Sequence, residues 1–217
     1  MIAPRRRQQR SKQSTHMSTY FSLDLDFFNA AGRSARPLFL GLVKHNLECV
    51  AEFVRRRKVP CVAVMNHQQM LRFVDESGCD TLLNVDTHSD LAKADIEDFS
   101  CGTWVSYVKW RKTGKYVWHH GYTAYRGDCS GGANLFCARP RHERGQMSGW
   151  MDVDHKKTVR MPTLSNDITA VGICLSPSFV DFPEETGELL RDWTKRHGIP
   201  YVRGRLFEHF SVPRKPR

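Results

Sequence analysis

Short apolar segments that end at acidic or histidine residues limit most strongly how this chain can fold. These segments are Tyr20 to Phe27, Val59 to Met65 and Thr81 to Val85. The first contains two aspartates, the second is followed by His67, and the third is followed by Asp86. Apolar runs of this length are typical of buried strands. Since sites in open parallel sheets gather beyond the carboxyl ends of the strands, we expect these polar side chains at one edge of a sheet.

Helical segments are predicted between and after these strands. Ser34 and Pro37 favour the start of a first helix. Apolar residues then recur at spacings of four, three and four, as on one face of an amphipathic helix, at Val43, Leu47, Val50 and Val54. Further helices are predicted over Gln68 to Glu76, Trp104 to Arg111 and Glu184 to His197.

The second half of the chain adds further strands to this pattern. They are predicted over Tyr116 to His120, Ile168 to Leu175 and Pro200 to Leu206. Residues 87–101 have few apolar anchors and are predicted as a loop, and residues 121–157 as either a long functional loop or a set of small edge hairpins. Strands that alternate with helices predict an α/β fold with a mainly parallel sheet.

The positive charge of the chain is concentrated at its ends. The chain has 217 residues, which suits one large domain, and a formal net charge of +10. We expect residues 1–16 and 212–217 to be basic, disordered tails around a catalytic domain over residues 17–211. No interleaved aromatic and basic motif accompanies the tails, so the sequence favours solvated tails over a nucleic-acid partner.

The cysteines predict a reducing compartment. There are seven, irregularly spaced, and none forms a C-x-x-C pair. No apolar stretch follows the basic N-terminus as in a secretory signal, and no apolar run reaches the length of a membrane span. We therefore expect a cytoplasmic protein with reduced thiols and no membrane partner, whereas the sequence does not define its oligomeric state.

Two short motifs predict a cluster of metal ligands. Alternate residues of an extended segment point the same way, so Asp86, His88 and Asp90 would aim two carboxylates and an imidazole at one place. Asp24 and Asp26 would do the same with two carboxylates. A lone D-x-D is more often a solvated turn, but both motifs end predicted strands.

A second imidazole, that of His67, completes the cluster. A lone histidine after a strand is usually structural, so its meaning depends on the other two segments. Four carboxylates and two imidazoles hold too much negative charge to gather without a cation. Oxygen-rich sites with nitrogen ligands suit Mn²⁺ or Fe²⁺, with Zn²⁺ possible. Because carboxylates can bridge, six ligands can hold two ions about 3.5–4 Å apart, which would activate a shared water.

These segments resemble a known superfamily of enzymes. SLDLDFF is similar to the S-x-D-x-D element of the arginase and agmatinase (ureohydrolase) superfamily, VDTHSD is similar to its D-A-H-x-D element, and MNHQQ would supply the remaining histidine. Together with CGTWVSYVKW and VGICLSPSF, the set looks more specifically like the UPF0489 family, which includes the peptide arginases. The similarity runs from about residue 20 to 180.

The resemblance implies a fold, a cofactor and a reaction. The fold would be the three-layer arginase-like one, although D-x-D comes first here and last in classical arginases, so the motif order is permuted. A pair of Mn²⁺ ions would be bridged by Asp24 and Asp86. His67 and Asp90 would complete the ligand set of one ion, and His88 and Asp26 would complete that of the other. The implied reaction is hydrolysis of an arginine side chain in a peptide to ornithine and urea.

Substrate-contacting residues are less well defined by the sequence. A guanidinium needs a carboxylate partner, and the candidates are Glu97, Asp98 and Asp181. His119 or His120 would protonate the leaving amine. Two further candidate pocket residues are Trp104, which a core position would explain equally well, and Ser176, which would otherwise cap a turn.

Three other functions compete with the peptide arginase. A small-molecule ureohydrolase acting on free arginine or agmatine would use the same ions, and the region 121–157 would decide between an open groove and a closed pocket. A dimetal phosphoesterase would explain the basic chain, which does not attract a cationic substrate. The last alternative is a binding protein in which the metal is structural.

Overall fold

The fold is built on a seven-stranded sheet. A computed structural model describes residues 17–29, 35–91, 99, 101–110, 114–120, 151–158 and 160–203, without the side chains of 151–153, 155 and 157. The strands are β1 (Thr19–Asp24), β2 (Cys61–Val64), β3 (Thr81–Val85), β4 (Gly114–His120), β5 (Met151–Lys157), β6 (Ile168–Cys174) and β7 (Tyr201–Val202). They lie in the order β5-β4-β3-β1-β6-β2-β7, and each neighbouring pair is parallel. The predicted α/β class with a parallel sheet is therefore confirmed.

Helices cover both faces of the sheet. Within the described residues, the α-helices are α1 (Arg36–Arg57), α2 (Met70–Ser77) and α3 (Pro183–His197). One core cluster joins α1 and α3 to the sheet, and it includes Phe21, Leu23, Phe39, Leu47, Ile173, Leu190 and Trp193. A second cluster joins α2 and a 3-10 turn to the other face, and it includes Tyr20, Met70, Val74, Leu82, Trp104 and Tyr116. The result is the three-layer arrangement that a parallel sheet requires.

Local sequence signals set the ends of the helices. Pro37 lies in the first turn of α1, where a missing N–H costs nothing. The helix ends at Lys58, whose φ is 55°. Gly78 and Gly198 follow α2 and α3 with φ of 58° and 65°, a left-handed conformation that glycine adopts without strain.

Strand β1 lies at the centre of the sheet, between β3 and β6. Ser22 is paired with Asn84 on one side and Gly172 on the other. Asp24, the last residue of β1, is paired with Cys174, the last of β6. Because the strands are parallel, β1, β2, β3 and β6 all end at the same edge, which we call the carboxyl edge.

Two predicted elements are shorter than expected. Strand β1 ends at Asp24, and Leu25–Phe28 form a 3-10 turn instead of extending the strand. The helix predicted over Trp104 to Arg111 is wrong, because only Trp104–Tyr107 turn, as a 3-10 helix. The chain is extended at Val108, and the N–H of the next residue donates to Asp75 at 2.8 Å, which replaces a helical hydrogen bond.

The region predicted as a loop or edge hairpins contains a strand of the main sheet. Residues Met151–Lys157 form β5, which pairs in parallel with β4 from Gly114 to His120. Its sequence is mostly polar, so the apolar pattern of a buried strand is missing. Residues 121–150 lie outside the described part of the chain. In the described part, no helix is both long enough and apolar enough to cross a membrane.

The tight approach of Gly114 to Trp110 gives a test of the packing. A Cβ at residue 114 would lie 1.9 Å from the Trp110 ring, which is itself buried. We expect Gly114→Ala to lower the free energy of unfolding by about 1–3 kcal/mol, because the indole cannot move without opening the core. Urea denaturation measures the change.

The control for this substitution is Gly41→Ala. Gly41 is exposed in the middle of α1, and a Cβ there would meet nothing within 4 Å. Alanine favours the helix over glycine, so this variant should gain about 0.5–1 kcal/mol. Equal effects of the two substitutions would contradict the packing described for β4.

Candidate metal centre

Six side chains converge at the carboxyl edge, and we call them the metal centre. They are Asp24, Asp26, His67, Asp86, His88 and Asp90. They come from the ends of β1, β2 and β3 and from the turns that follow. Five are almost completely buried, whereas the side chain of His88 is 22% exposed. The centre therefore has a closed side and an open side.

The closed side is arranged around His67. Its Nδ1 lies 3.1 Å from Asp24 Oδ2, 2.9 Å from Asp86 Oδ2 and 2.8 Å from Asp90 Oδ2. Its other ring nitrogen, Nε2, lies 2.8 Å from Ser22 Oγ. The hydroxyl of Ser22 thus fixes the ring so that Nδ1 points into the group of carboxylates.

The open side is arranged around His88. Its Nδ1 lies 3.0 Å from Asp26 Oδ2 and 3.6 Å from Asp86 Oδ1. The ring of Phe179 contacts that of His88 with 5.0 Å between centroids, and Phe179 is 47% exposed. An exposed aromatic side chain thus lies beside the exposed histidine of the centre.

Asp86 joins the two sides, since its Oδ2 faces His67 and its Oδ1 faces His88. Asp24 differs from it. Asp24 Oδ2 faces His67 and accepts a short hydrogen bond from Ser176 Oγ, whereas Oδ1 accepts the N–H of Asp26 at 3.1 Å. The geometry of a bridging carboxylate is thus present at Asp86, and bridging by Asp24 stays a prediction.

The spacing of these atoms fits a cation better than hydrogen bonding. His67 Nδ1 and Asp26 Oδ2 are buried and form no hydrogen bond with the described residues, although carboxylate or imidazole atoms lie about 3 Å away. Ligand atoms about 2.1 Å from one ion, at right angles to each other, lie about 3 Å apart. The clusters can therefore hold a metal ion, and their donors are those of Mn²⁺, Fe²⁺ or Zn²⁺.

The buried carboxylates of the metal centre change one another's pKa. Burial and the carboxylates of Asp24 and Asp86 raise the pKa of Asp26 well above its usual range. Burial and the charge of Asp86 raise the pKa of Asp90 to about 8. Burial alone would also raise the pKa of Asp86, but the neighbouring His67 and His88 outweigh it and lower that pKa.

The histidines respond to the same charges. Burial opposes their protonation, yet Asp90, Asp24 and Asp86 raise the pKa of His67 well above its ordinary value. Against the same effect of burial, Asp26 and Asp86 raise the pKa of His88 to about 12. Without a metal, protons on the imidazoles compensate the carboxylates, and a divalent cation would replace them.

Backbone groups hold the turn residues in place. Thr87 donates its N–H to Asp26 Oδ1 at 3.2 Å and its hydroxyl to the Asp26 carbonyl at 3.0 Å. The N–H of His88 donates to Asp86 Oδ1 at 2.7 Å. Asp90 has a φ of 52°, which is uncommon for a residue other than glycine and indicates local strain at the centre.

A buried network of hydrogen bonds positions Asp86. Asn84 Nδ2 donates to Asp86 Oδ2 at 3.3 Å and to the Tyr116 hydroxyl at 3.2 Å. Trp118 Nε1 donates to the Asp86 carbonyl at 3.0 Å. Sequence reasoning missed Asn84 and Ser22, although each lies two residues before a metal-centre aspartate and so shares its face of the strand.

Ser176, Trp104 and Cys174 lie against the centre. Ser176 has a φ of 47° and bonds Asp24, so the structure brings this predicted substrate residue to a ligand. Trp104 is fully buried and bonds Asp90. Cys174 lies with Asp24 and His67 in a group whose ligand atoms are within 4.8 Å of one another.

The other predicted residues are placed differently. Asp181 lies on the loop after β6, held by Asn29 Oδ1 at its N–H and by Thr186 at its carbonyl. His119 pairs with Val85, on the helix α1 side of the sheet; burial and Lys156 lower its pKa. The structure thus does not bring His119 to the ligands. His120 packs on Trp118, and Glu97 and Asp98 lie outside the described residues.

Comparison with known proteins identifies no relative. No family model matches the chain, and neither the curated proteins nor the solved structures contain a match.

The linking geometry of Asp86 predicts how metal is lost on substitution. Asp86→Ala should remove ions from both sides of the centre, because each side loses an oxygen ligand. His88→Ala should affect only the open side and leave at least one ion bound. Metal analysis of dialysed, Mn²⁺-loaded protein measures both, with Asp192→Ala, an exposed acid of α3, as the control. Full occupancy in Asp86→Ala would contradict the assignment.

Metal affinity should depend on pH. Protons compete with the ion, because the pKa values of His88 and Asp90 are raised to about 12 and about 8. Below pH 8 the affinity should rise about tenfold per pH unit for each proton displaced, and more slowly above it, where Asp90 is already ionised. Calorimetric titration with Mn²⁺ in two buffers counts the protons. A flat profile would be inconsistent with proton displacement.

Proposed function

We propose that this protein is a dimetal hydrolase that converts arginine side chains of a peptide to ornithine and urea. The observation on which the proposal rests is the pairing of two imidazoles with four carboxylates at the carboxyl edge, with Asp86 facing both sides. The resemblance of these segments to the ureohydrolase superfamily supplies the reaction.

The chemistry of the donors supports two ions of the Mn²⁺ type. His67, Asp24, Asp86 and Asp90 would hold one ion; Asp26, His88 and Asp86 would hold the other. When bound, a pair of such ions supplies a water that is nucleophilic at neutral pH and a Lewis acid for the group under attack. Fe²⁺ and Zn²⁺ suit the same donors.

The open side is where a substrate would reach the centre. His88 is exposed in part, whereas the side chain of His67 is only 1% exposed. Phe179 lies beside His88, and a guanidinium stacks well on the face of an aromatic ring. The same loop includes Asp181, which makes it the candidate guanidinium partner within the described part of the chain.

The loop that contains Phe179 and Asp181 is held in shape before substrate arrives. Asn29 Nδ2 donates to the Phe179 carbonyl at 2.6 Å, and Asn29 Oδ1 accepts the N–H of Asp181 at 2.9 Å. The N–H of Phe179 donates to the Ser176 carbonyl at 2.9 Å. The Ser176 hydroxyl also donates to Asp24, so hydrogen bonds connect this loop to a residue of the metal centre. Such pre-organisation is what positioning a substrate at a metal centre requires.

The experiment compares three substrates under metal-replete conditions. Mn²⁺-loaded protein is incubated with an arginine-containing peptide, free arginine or agmatine, and urea is measured. We expect urea from the peptide, together with a peptide mass lowered by the difference between arginine and ornithine. Asp86→Ala should abolish the reaction, and Asp192→Ala should retain it.

The remaining outcomes separate the alternatives. Urea from free arginine or agmatine alone would identify a small-molecule ureohydrolase. The net charge of +10 favours a dimetal phosphoesterase over a protein for cationic substrates, so para-nitrophenyl phosphate and its diester are assayed in parallel. Metal-loaded protein that releases no urea from any guanidino compound would overturn the proposal.

A further inference from the structure

Trp104 contacts two residues of the closed side at once. Its indole Nε1 donates to Asp90 Oδ2 at 2.5 Å, and that oxygen lies 2.8 Å from His67 Nδ1. The indole and imidazole rings also contact each other in a tilted arrangement, with 4.9 Å between centroids and 40° between planes. The side chain is fully buried, so neither contact is exchanged with solvent.

The hydrogen bond to Asp90 matters because the backbone of this residue has an uncommon conformation. Asp90 lies at a φ of 52°, a conformation that persists only where tertiary contacts enforce it. Its carboxylate is buried, and its Oδ2 and that of Asp86 both lie within 3 Å of His67 Nδ1. An indole N–H on Oδ2 fixes the rotation of the carboxylate, and outer hydrogen bonds of this kind orient metal ligands.

The other described tryptophans do not make this contact. Trp110 and Trp193 are as buried as Trp104, and their indole N–H groups have no hydrogen-bond partner among the described residues. Trp118 donates to a backbone carbonyl, that of Asp86. Trp104 is therefore distinguished by a side-chain contact with a ligand of the metal centre, and burial in the core does not account for that contact.

We propose that Trp104 is a positioning residue of the closed side of the metal centre. It holds the Asp90 carboxylate toward the ion-facing nitrogen of His67 and fixes the plane of the imidazole. The sequence offered a pocket wall or a core position for this residue; here it acts through the ligands and does not contact substrate. The inference rests on the metal centre of the proposed function but does not depend on which substrate is hydrolysed.

Trp104→Phe tests the hydrogen bond while keeping an aromatic ring against His67. Loss of such an outer contact weakens metal binding by about 10- to 100-fold, so we expect the Mn²⁺ dissociation constant of the closed side to rise by this factor in calorimetric titration. Trp110→Phe is the matched control, because Trp110 belongs to the same core cluster and loses no hydrogen bond. Its dissociation constant should stay at the wild-type value.

A measurement on the wild-type protein covers the case in which Trp104→Phe does not fold. The chain has five tryptophans, so ¹⁵N-labelled protein gives five indole N–H signals. They are assigned by elimination from single Trp→Phe variants at the other positions. Zn²⁺ is added because it is diamagnetic. We expect the Trp104 signal to shift on Zn²⁺ binding and the Trp110 and Trp193 signals to stay.

The outcomes distinguish this inference from the proposed function. Equal Mn²⁺ affinity in Trp104→Phe and Trp110→Phe, or a Trp104 signal that does not respond to Zn²⁺, would overturn the positioning role even if urea is produced. A weakened affinity in Trp104→Phe without any urea production would support the role and count against the guanidino hydrolase. Wild-type protein that binds neither ion would overturn both.

Discussion

The structure depends on the repulsion among four buried carboxylates at one edge of the sheet. Burial removes the water that would otherwise solvate Asp26 and Asp90, and the raised pKa of each records that cost. Two imidazoles partly compensate for it, and both are driven toward their protonated form. An arrangement of this kind persists only where cations offset the charge, since unpaired buried charges are strongly destabilising. The parallel sheet brings the ligands together, and the charge they share defines what the centre can bind.

Hydrogen bonds from residues outside the metal centre orient the side chains within it. Ser22 orients the His67 ring so that its Nδ1 points toward the carboxylates, and Asn84 donates a hydrogen bond to Asp86. Ser176 links Asp24 to the loop that contains the exposed ring of Phe179. The closed side of the centre is thus continuous with the core, and the open side is continuous with a surface loop. The centre is thus buried on one side and still reachable from solvent at His88.

The sequence predicted the residues of the metal centre, but the backbone that positions them differs in part from the extended strands that the alternating pattern indicates. The rule that alternate residues share a face selected Asp24 and Asp26, yet Asp26 reaches the centre through a 3-10 turn and not along an extended strand. The strand β5 escaped detection because a polar edge strand lacks an apolar period. The proposed role of Trp104 could not be predicted either, because a sequence does not show whether a buried indole N–H has a hydrogen-bond partner.

The position of β6 has a consequence for the order of assembly. β6 lies between β1 and β2, which are separated along the chain only by α1. Until β6 is synthesised, β1 and β2 therefore lack the strand that separates them in the finished sheet. That strand, Ile168–Cys174, begins more than a hundred residues after the end of β2. The contact between His67 and Asp24 spans the end of that strand, so the carboxyl edge can be completed only when most of the chain has been synthesised.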